Sequence, residues 1–379
     1  MKKMSFLISA SLIAAACQPV ASDAAPATSS DKPFVTTVIA DFEEPWAMAF
    51  LPGSNQALIT EKKGKLLLWE SEGEVIEVGG VPSVAYGGQG GLGDVIIHPD
   101  FANNRYVYLS FAEAGEDGYG AAVARGKLGS DAGKPMLTDV QVIWRQEPKV
   151  SGQGHFGHRL AFGPDGMLYI SSGERQKFTP AQDLNQNLGK IVRVTDGGMI
   201  PSDNPFYDQG RIKAQIWSYG HRNPLGLAFD AQGRLWNQEM GPEGGDELNL
   251  VKKATNYGYP KASNGRNYGA TTDDIPDHKP GDGFEAPKVF WNPVISPAGL
   301  IIYSGNMFAD WKGNAFIGGL SSKALIRVKL DGENATKADQ WDMGARIREV
   351  EQGPDGAVWL LEDGGRGSEG RLLKLTPKK

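Results

Sequence analysis

The chain has 379 residues, of which 50 are glycine and 23 proline, a richness that excludes a mainly helical protein. A formal net charge of −6 argues against a general nucleic-acid surface. One cysteine and five histidines exclude a zinc or iron–sulfur framework built on cysteine pairs.

At the start, Met1-Lys2-Lys3 precedes an apolar run from Ser5 to Ala16. The run is too short to cross a bilayer as a helix and reads as an export signal. Ala14-Ala15-Ala16-Cys17 is similar to a bacterial lipoprotein box, with Ala14 where leucine is usual. Cleavage before Cys17 would leave an N-terminal cysteine for lipid attachment. Cleavage between Ala21 and Ala27 would instead give a soluble periplasmic protein. The lipoprotein reading is preferred, because no other cysteine exists and a tether-like stretch from Gln18 to Lys32 follows. The expected organisation is a signal (1–17), a flexible linker (18–32) and one folded domain (33–379). Export to the periplasm follows, with outer-membrane anchoring through Cys17 as the only membrane contact.

Beyond Lys32 a unit of strand, tight turn and strand recurs. Copies begin at Met48-Ala49-Phe50, Val95-Ile96-Ile97, Leu160-Ala161-Phe162, Leu227-Ala228-Phe229 and Val350-Glu351-Gln352. A weaker copy begins at Leu300-Ile301-Ile302 and returns through Asn314 to Ile317. The clearest turn is Pro164-Asp165-Gly166: proline fixes φ, aspartate bonds the backbone, and glycine takes φ > 0. A spacing of roughly 40 to 80 residues suits a four-stranded blade with loop insertions. Six copies predict an all-β, six-bladed β-propeller of four-stranded antiparallel blades. Arg371–Leu375 and Phe34–Phe42 are the runs available to close the ring. A β-sandwich is the structural alternative, but it does not need repeated units.

Aligning the copies on their turns places Gln89, His155, Arg222, Arg346 and Arg348 at the start of their units, hence on one rim. Alone, each arginine reads as solvated surface and His155 as a satisfied polar residue. Three arginines on one ring repel unless an anion or carboxylates lie between them, so the rim is expected to bind an anionic ligand. Glu349 and Glu351 are the carboxylates expected to neutralise part of the cluster. A second cluster, Met240 to Glu247 followed by Asn256-Tyr257-Gly258-Tyr259, joins glycine-rich backbone to carboxylates. It suits Ca²⁺ or is an acidic turn in solvent.

These segments together resemble the soluble, pyrroloquinoline quinone (PQQ)-dependent aldose sugar dehydrogenases of the glucose/sorbosone dehydrogenase family. The resemblance runs from about Pro45 to Leu375. It is carried by Gly87–Gly93, His155–Leu160, Gly220–Pro224, Gly241-Pro242 with Gly245–Asn249, Asn256–Gly258 and Arg346–Arg348. It implies PQQ-dependent oxidation of an aldose at C1 to a lactone, with electrons passed to an external acceptor. His155 would be the general base and Arg222 the group that polarises the quinone carbonyl. Gln89, Asn223, Lys323, Arg346 and Arg348 would bind cofactor oxygens and carboxylates. Gly241 and Pro242 would give carbonyls to a Ca²⁺ beside PQQ, and Glu247 and Tyr257, with Asp246, would serve a second Ca²⁺. Met240 departs from the glucose-specific branch, which carries a polar residue there, and favours the broader aldose branch.

Two other functions compete. A non-catalytic ligand-binding propeller lipoprotein has no need of a base such as His155. A calcium-dependent propeller lactonase would want carboxylates and amides converging on an axial metal, whereas this rim is rich in arginine.

Overall fold

A computed structural model describes residues 28–29, 31–71, 73–272 and 274–378; the expected export signal and Cys17 lie outside the described residues. Six four-stranded antiparallel sheets follow one another round a central axis, making the six-bladed propeller expected from the repeats. Their inner strands are Pro45–Phe50, Leu92–Ile97, Gly157–Phe162, Asn223–Phe229, Pro297–Ile302 and Ile347–Gln352, here defining blades 1 to 6. Each packs against the next, and the sixth returns to the first.

The turns behave as their sequences require. In blade 3, the Asp165 carboxylate accepts the Met167 N–H at 3.0 Å while Gly166 takes φ of +75°. In blade 6, Asp355 does the same for Ala357. Blade 5 read weakly because a longer connection with a short 3-10 turn, Ala309–Trp311, replaces Pro-Asp-Gly. Among the described residues the longest helix is Arg211–Gln215, so the fold rests on sheet packing.

Six apolar clusters lie between neighbouring blades, one at each interface. Fully burying one leucine or isoleucine contributes roughly 1.5–3 kcal/mol, so these interfaces hold the ring. Phe34–Asp41 closes it by pairing with Arg371–Pro377 on the outside of blade 6. Phe34 also packs edge-on against Trp311 and Trp341 of blade 5. Just before this strand, the Ser29 N–H donates to the Gln340 carbonyl at 2.9 Å, laying this stretch on the outer strand of blade 5.

One regularity was not visible in the sequence. Every inner strand shifts register near its start, between Pro45/Ala47, Leu92/Val95, Gly157/Leu160, Pro224/Gly226, Ala298/Leu300 and Ile347/Glu349. A bulge re-aims the side chains beside it. Here the shifts turn Asp94, Arg159 and Glu349 together near the axis, while Arg348 faces Asp363 on the rim.

Candidate functional site

Because consecutive blades repeat one strand direction, the starts of the inner strands and the loops after the second strands share one face. His155 precedes the inner strand of blade 3, and Arg222 that of blade 4. Gln89 lies on a glycine turn before blade 2, where the Gln89 side-chain carbonyl accepts the His155 N–H at 2.8 Å. The Asn223 side-chain amide oxygen, Oδ1, accepts the Gly157 N–H at 3.1 Å. Gln89, His155, Arg222 and Asn223 are thus brought together, as aligned.

His155 is buried, with its Nδ1 2.5 Å from Oε1 of Glu174. Glu174 Oε2 accepts the N–H groups of Lys177 and Phe178 at 2.5 and 2.6 Å. Burial raises the Glu174 carboxyl, but His155, the Phe178 N–H and Arg222 outweigh it and lower its pKa overall. An ionised carboxylate can only accept, so the ring proton sits on Nδ1 and Nε2 keeps its lone pair. Burial pushes the His155 pKa down, against the upward pull of Glu174, which favours the neutral base.

Arg222 and Asn223 supply donors with no partner among the described residues. Arg222 Nη1 donates to the Met240 carbonyl at 3.1 Å. Its Nε, the Asn223 Nδ2 and the Tyr259 hydroxyl are buried without a hydrogen-bond partner among the described residues. Buried donors are rarely left unpaired, so this pattern fits an oxygen-rich ligand.

Across the rim, Arg346 and Arg348 share one carboxylate, Asp363: Arg346 Nε is 2.8 Å from one oxygen and Arg348 Nε 2.7 Å from the other. The expectation that Glu349 and Glu351 would neutralise this cluster is corrected. Glu349 pairs instead with Arg159, and Glu351 lines the axial cavity, because the bulge turns this part of the strand towards the axis. Lys323 is exposed on the loop after the second strand of blade 5, with φ of +51°.

The second cluster is built differently from a free acidic turn. Asp246 is buried and accepts the N–H groups of Gly241, Ile295 and Ser296, so it shapes the Gly241-Pro242 turn. A Cβ on Gly241 would meet the Gly245 carbonyl at 2.2 Å, so only glycine fits. Glu247 and Glu239 lie together under this turn, where Asn249 Nδ2 bonds both. Burial first, then Glu239, pushes the Glu247 pKa well up. The Tyr257 hydroxyl donates to the Leu250 carbonyl and accepts the Lys252 N–H, leaving its backbone carbonyl free of donors among the described residues.

Sequence reasoning missed Glu174 and Asp363. Both follow second strands: Leu168–Ser172 precedes Gly173-Glu174, and Val358–Glu362 precedes Asp363. The alignment of repeats, extended to those strand ends, would have found them.

A family model described as Glucose / Sorbosone dehydrogenase matches residues 42–374. Aldose sugar dehydrogenase YliI of Escherichia coli is 41% identical over 375 residues, covering 97% of this chain and 98% of the relative. Quinoprotein glucose dehydrogenase B of Acinetobacter calcoaceticus is 26% identical, with 86% and 84% covered. The apo-form structure of the soluble aldose sugar dehydrogenase from Escherichia coli superposes with a TM-score of 0.86 at 40% identity, covering 91% of this chain and all of that one. The PQQ-bound form of an aldose sugar dehydrogenase from Streptomyces coelicolor superposes with a TM-score of 0.75 at 30% identity, covering 94% and 100%. The chain belongs to the glucose/sorbosone dehydrogenase family of oxidoreductases.

Proposed function

We propose that the chain oxidises aldose sugars at C1 to lactones with PQQ as cofactor, His155 being the general base. The observation that carries this is the buried His155–Glu174 pair beside unpartnered donors of Arg222 and Asn223. When bound, PQQ supplies the two-electron acceptor for the hydride from C1. Arg222, Asn223, Gln89, Lys323, Arg346 and Arg348 would hold its oxygens and carboxylates, a donor-rich set suited to an anionic quinone.

His155 Nε2 takes the proton from the C1 hydroxyl as the C1–H bond breaks, and the C1–O bond becomes a carbonyl. The charge that develops on the imidazole is stabilised by Glu174 through Nδ1–H. The cofactor carries the redox chemistry, and this chain orients the sugar hydroxyl, the base and the donors.

The carbonyls of Gly241 and Pro242 are assigned to a Ca²⁺ beside the cofactor, and Glu247 with the Tyr257 carbonyl to a second. Two close buried carboxylates with backbone carbonyls form the hard-oxygen set that Ca²⁺ takes. Asp246 supports the first of these by fixing the turn. The reading includes export and anchoring through Cys17, and an external electron acceptor.

The test is dye reduction by purified apoprotein with an aldose, before and after adding PQQ and Ca²⁺. Turnover and lactone appearing only after reconstitution support the proposal. Inactivity across a panel of aldoses, with PQQ not bound, contradicts it.

A further inference from the structure

We propose that Lys62 is a cofactor-binding residue, pairing with a carboxylate of PQQ beside Arg346 and Arg348; this rests on the reading of the rim as a PQQ site. Lys62 is the first residue after the second strand of blade 1, the position that Gly241 holds in blade 4 and Asp363 in blade 6. Glu174 in blade 3 and Lys323 in blade 5 lie in the same connection. Blade 1 otherwise gives the rim no charged group of this kind from its inner strand, Pro45–Phe50.

The backbone of Lys62 is fixed on both sides. Its N–H donates to the Glu44 carbonyl, and its own carbonyl accepts the Leu92 N–H. A Cβ on Gly91 would meet that carbonyl at 2.1 Å, so the glycine turn carrying Gln89 is moulded onto Lys62. The side chain is nearly covered, at 15% exposure, yet its ammonium is poorly used. It donates one long hydrogen bond, 3.3 Å, to the Gly88 carbonyl, and its ion pair with Glu44 is loose, at 3.9 Å, beyond hydrogen-bond range. Glu44 in turn accepts the Tyr86 hydroxyl at 2.6 Å.

The charge on the other side is equally incomplete. Asp363 is engaged by Arg346 and Arg348, which face it from the rim, and its charge offsets only part of the loss at Lys62. Burial and then the Arg348 charge push the Lys62 pKa down, the mark of a cation short of an anion. A ligand carboxylate between Lys62 and the arginine pair would meet this shortage. An ammonium suits that task as a compact point charge beside the planar arginine forks.

PQQ is titrated into Ca²⁺-supplemented apoprotein and followed by tryptophan fluorescence, for wild type, Lys62→Met and Lys62→Arg, at low and high salt. Lys62→Met is expected to weaken binding about tenfold to hundredfold, the loss of one charge-assisted hydrogen bond, and to flatten the salt dependence. Lys62→Arg is expected to restore most of the affinity, and the melting temperature of all three apoproteins to agree. Equal affinity in wild type and Lys62→Met overturns the proposal alone. A loss that is insensitive to salt and not restored by arginine also overturns it, since Lys62 would then only space the Gly88 turn. Wild type that does not bind PQQ overturns the reading of the rim as well.

Discussion

Two of the arginine–carboxylate clusters in this propeller, one on the axis and one on the rim, differ in what is left over. On the axis, Arg159 is buried, bonded to Asp94 and Glu349 and to the Leu225 carbonyl, and stacked 4.1 Å from the Trp46 ring. Carboxylates outnumber arginines there, Asp94 and Glu349 against Arg159, and the cluster knits the inner strands of blades 2, 3 and 6. On the rim, Asp363 serves two arginines, while Arg222 and Asn223 keep buried donors without partners. Donors exceed acceptors there. The same residue types thus make a staple in one place and an anion site in the other, and the balance of partners separates the two.

The largest expected effect tests the rim. His155→Ala should lower kcat by about 10²–10⁴-fold, the range for loss of a general base, while PQQ still binds in a fluorescence titration. Loss of binding with unchanged turnover per bound cofactor would remove His155 from the proton step. Glu174→Gln should lower kcat less, by roughly tenfold to hundredfold, and shift the acid limb of kcat/KM. The sign follows from the pair: Glu174 raises the His155 pKa, so its neutralisation lets protonation of His155 begin only at lower pH. An acid limb that stays in place would uncouple the two residues.

The axial staple should respond in the opposite manner. Arg159→Met leaves Asp94 and Glu349 unpaired in the interior and should cost about 3–5 kcal/mol of stability by denaturant unfolding. Arg348→Ala should change stability much less and weaken PQQ instead. If both substitutions cost stability alone, the distinction between staple and site fails.

The smallest effect concerns the axial cavity, about 460 Å³, which Glu351 lines. Burial, then Glu349, pushes its pKa from 4.5 up to about 8. The folded chain therefore holds a proton that the unfolded chain releases, and stability from this group falls as pH rises from about 4.5 to about 8. Glu351→Gln should raise the melting temperature above wild type at pH 9 by about 2–4 °C and leave it unchanged near pH 4. A larger gain in acid than in alkali would reverse the sign and refute the assignment.

Much of this was legible in the chain. Pro164-Asp165-Gly166 and its copies gave the strand pairs, and their alignment put Gln89, His155 and Arg222 on one face. What it could not show is where a strand bulges, because both faces of an inner strand are buried and the apolar pattern marks no slip. That is why Glu349 was expected beside the rim arginines and is found with Arg159. Glu174 and Asp363 stayed hidden for another reason: they lie 19 and 17 residues from His155 and Arg346, and only the pairing of the first two strands of a blade brings the ends together.

The most direct measurement is a single turnover of the PQQ- and Ca²⁺-loaded protein with glucose carrying deuterium at C1. The expected result is a slower reaction than with unlabelled glucose, and a lactone without the label. Full rate with deuterium retained at C1 would contradict oxidation at that carbon.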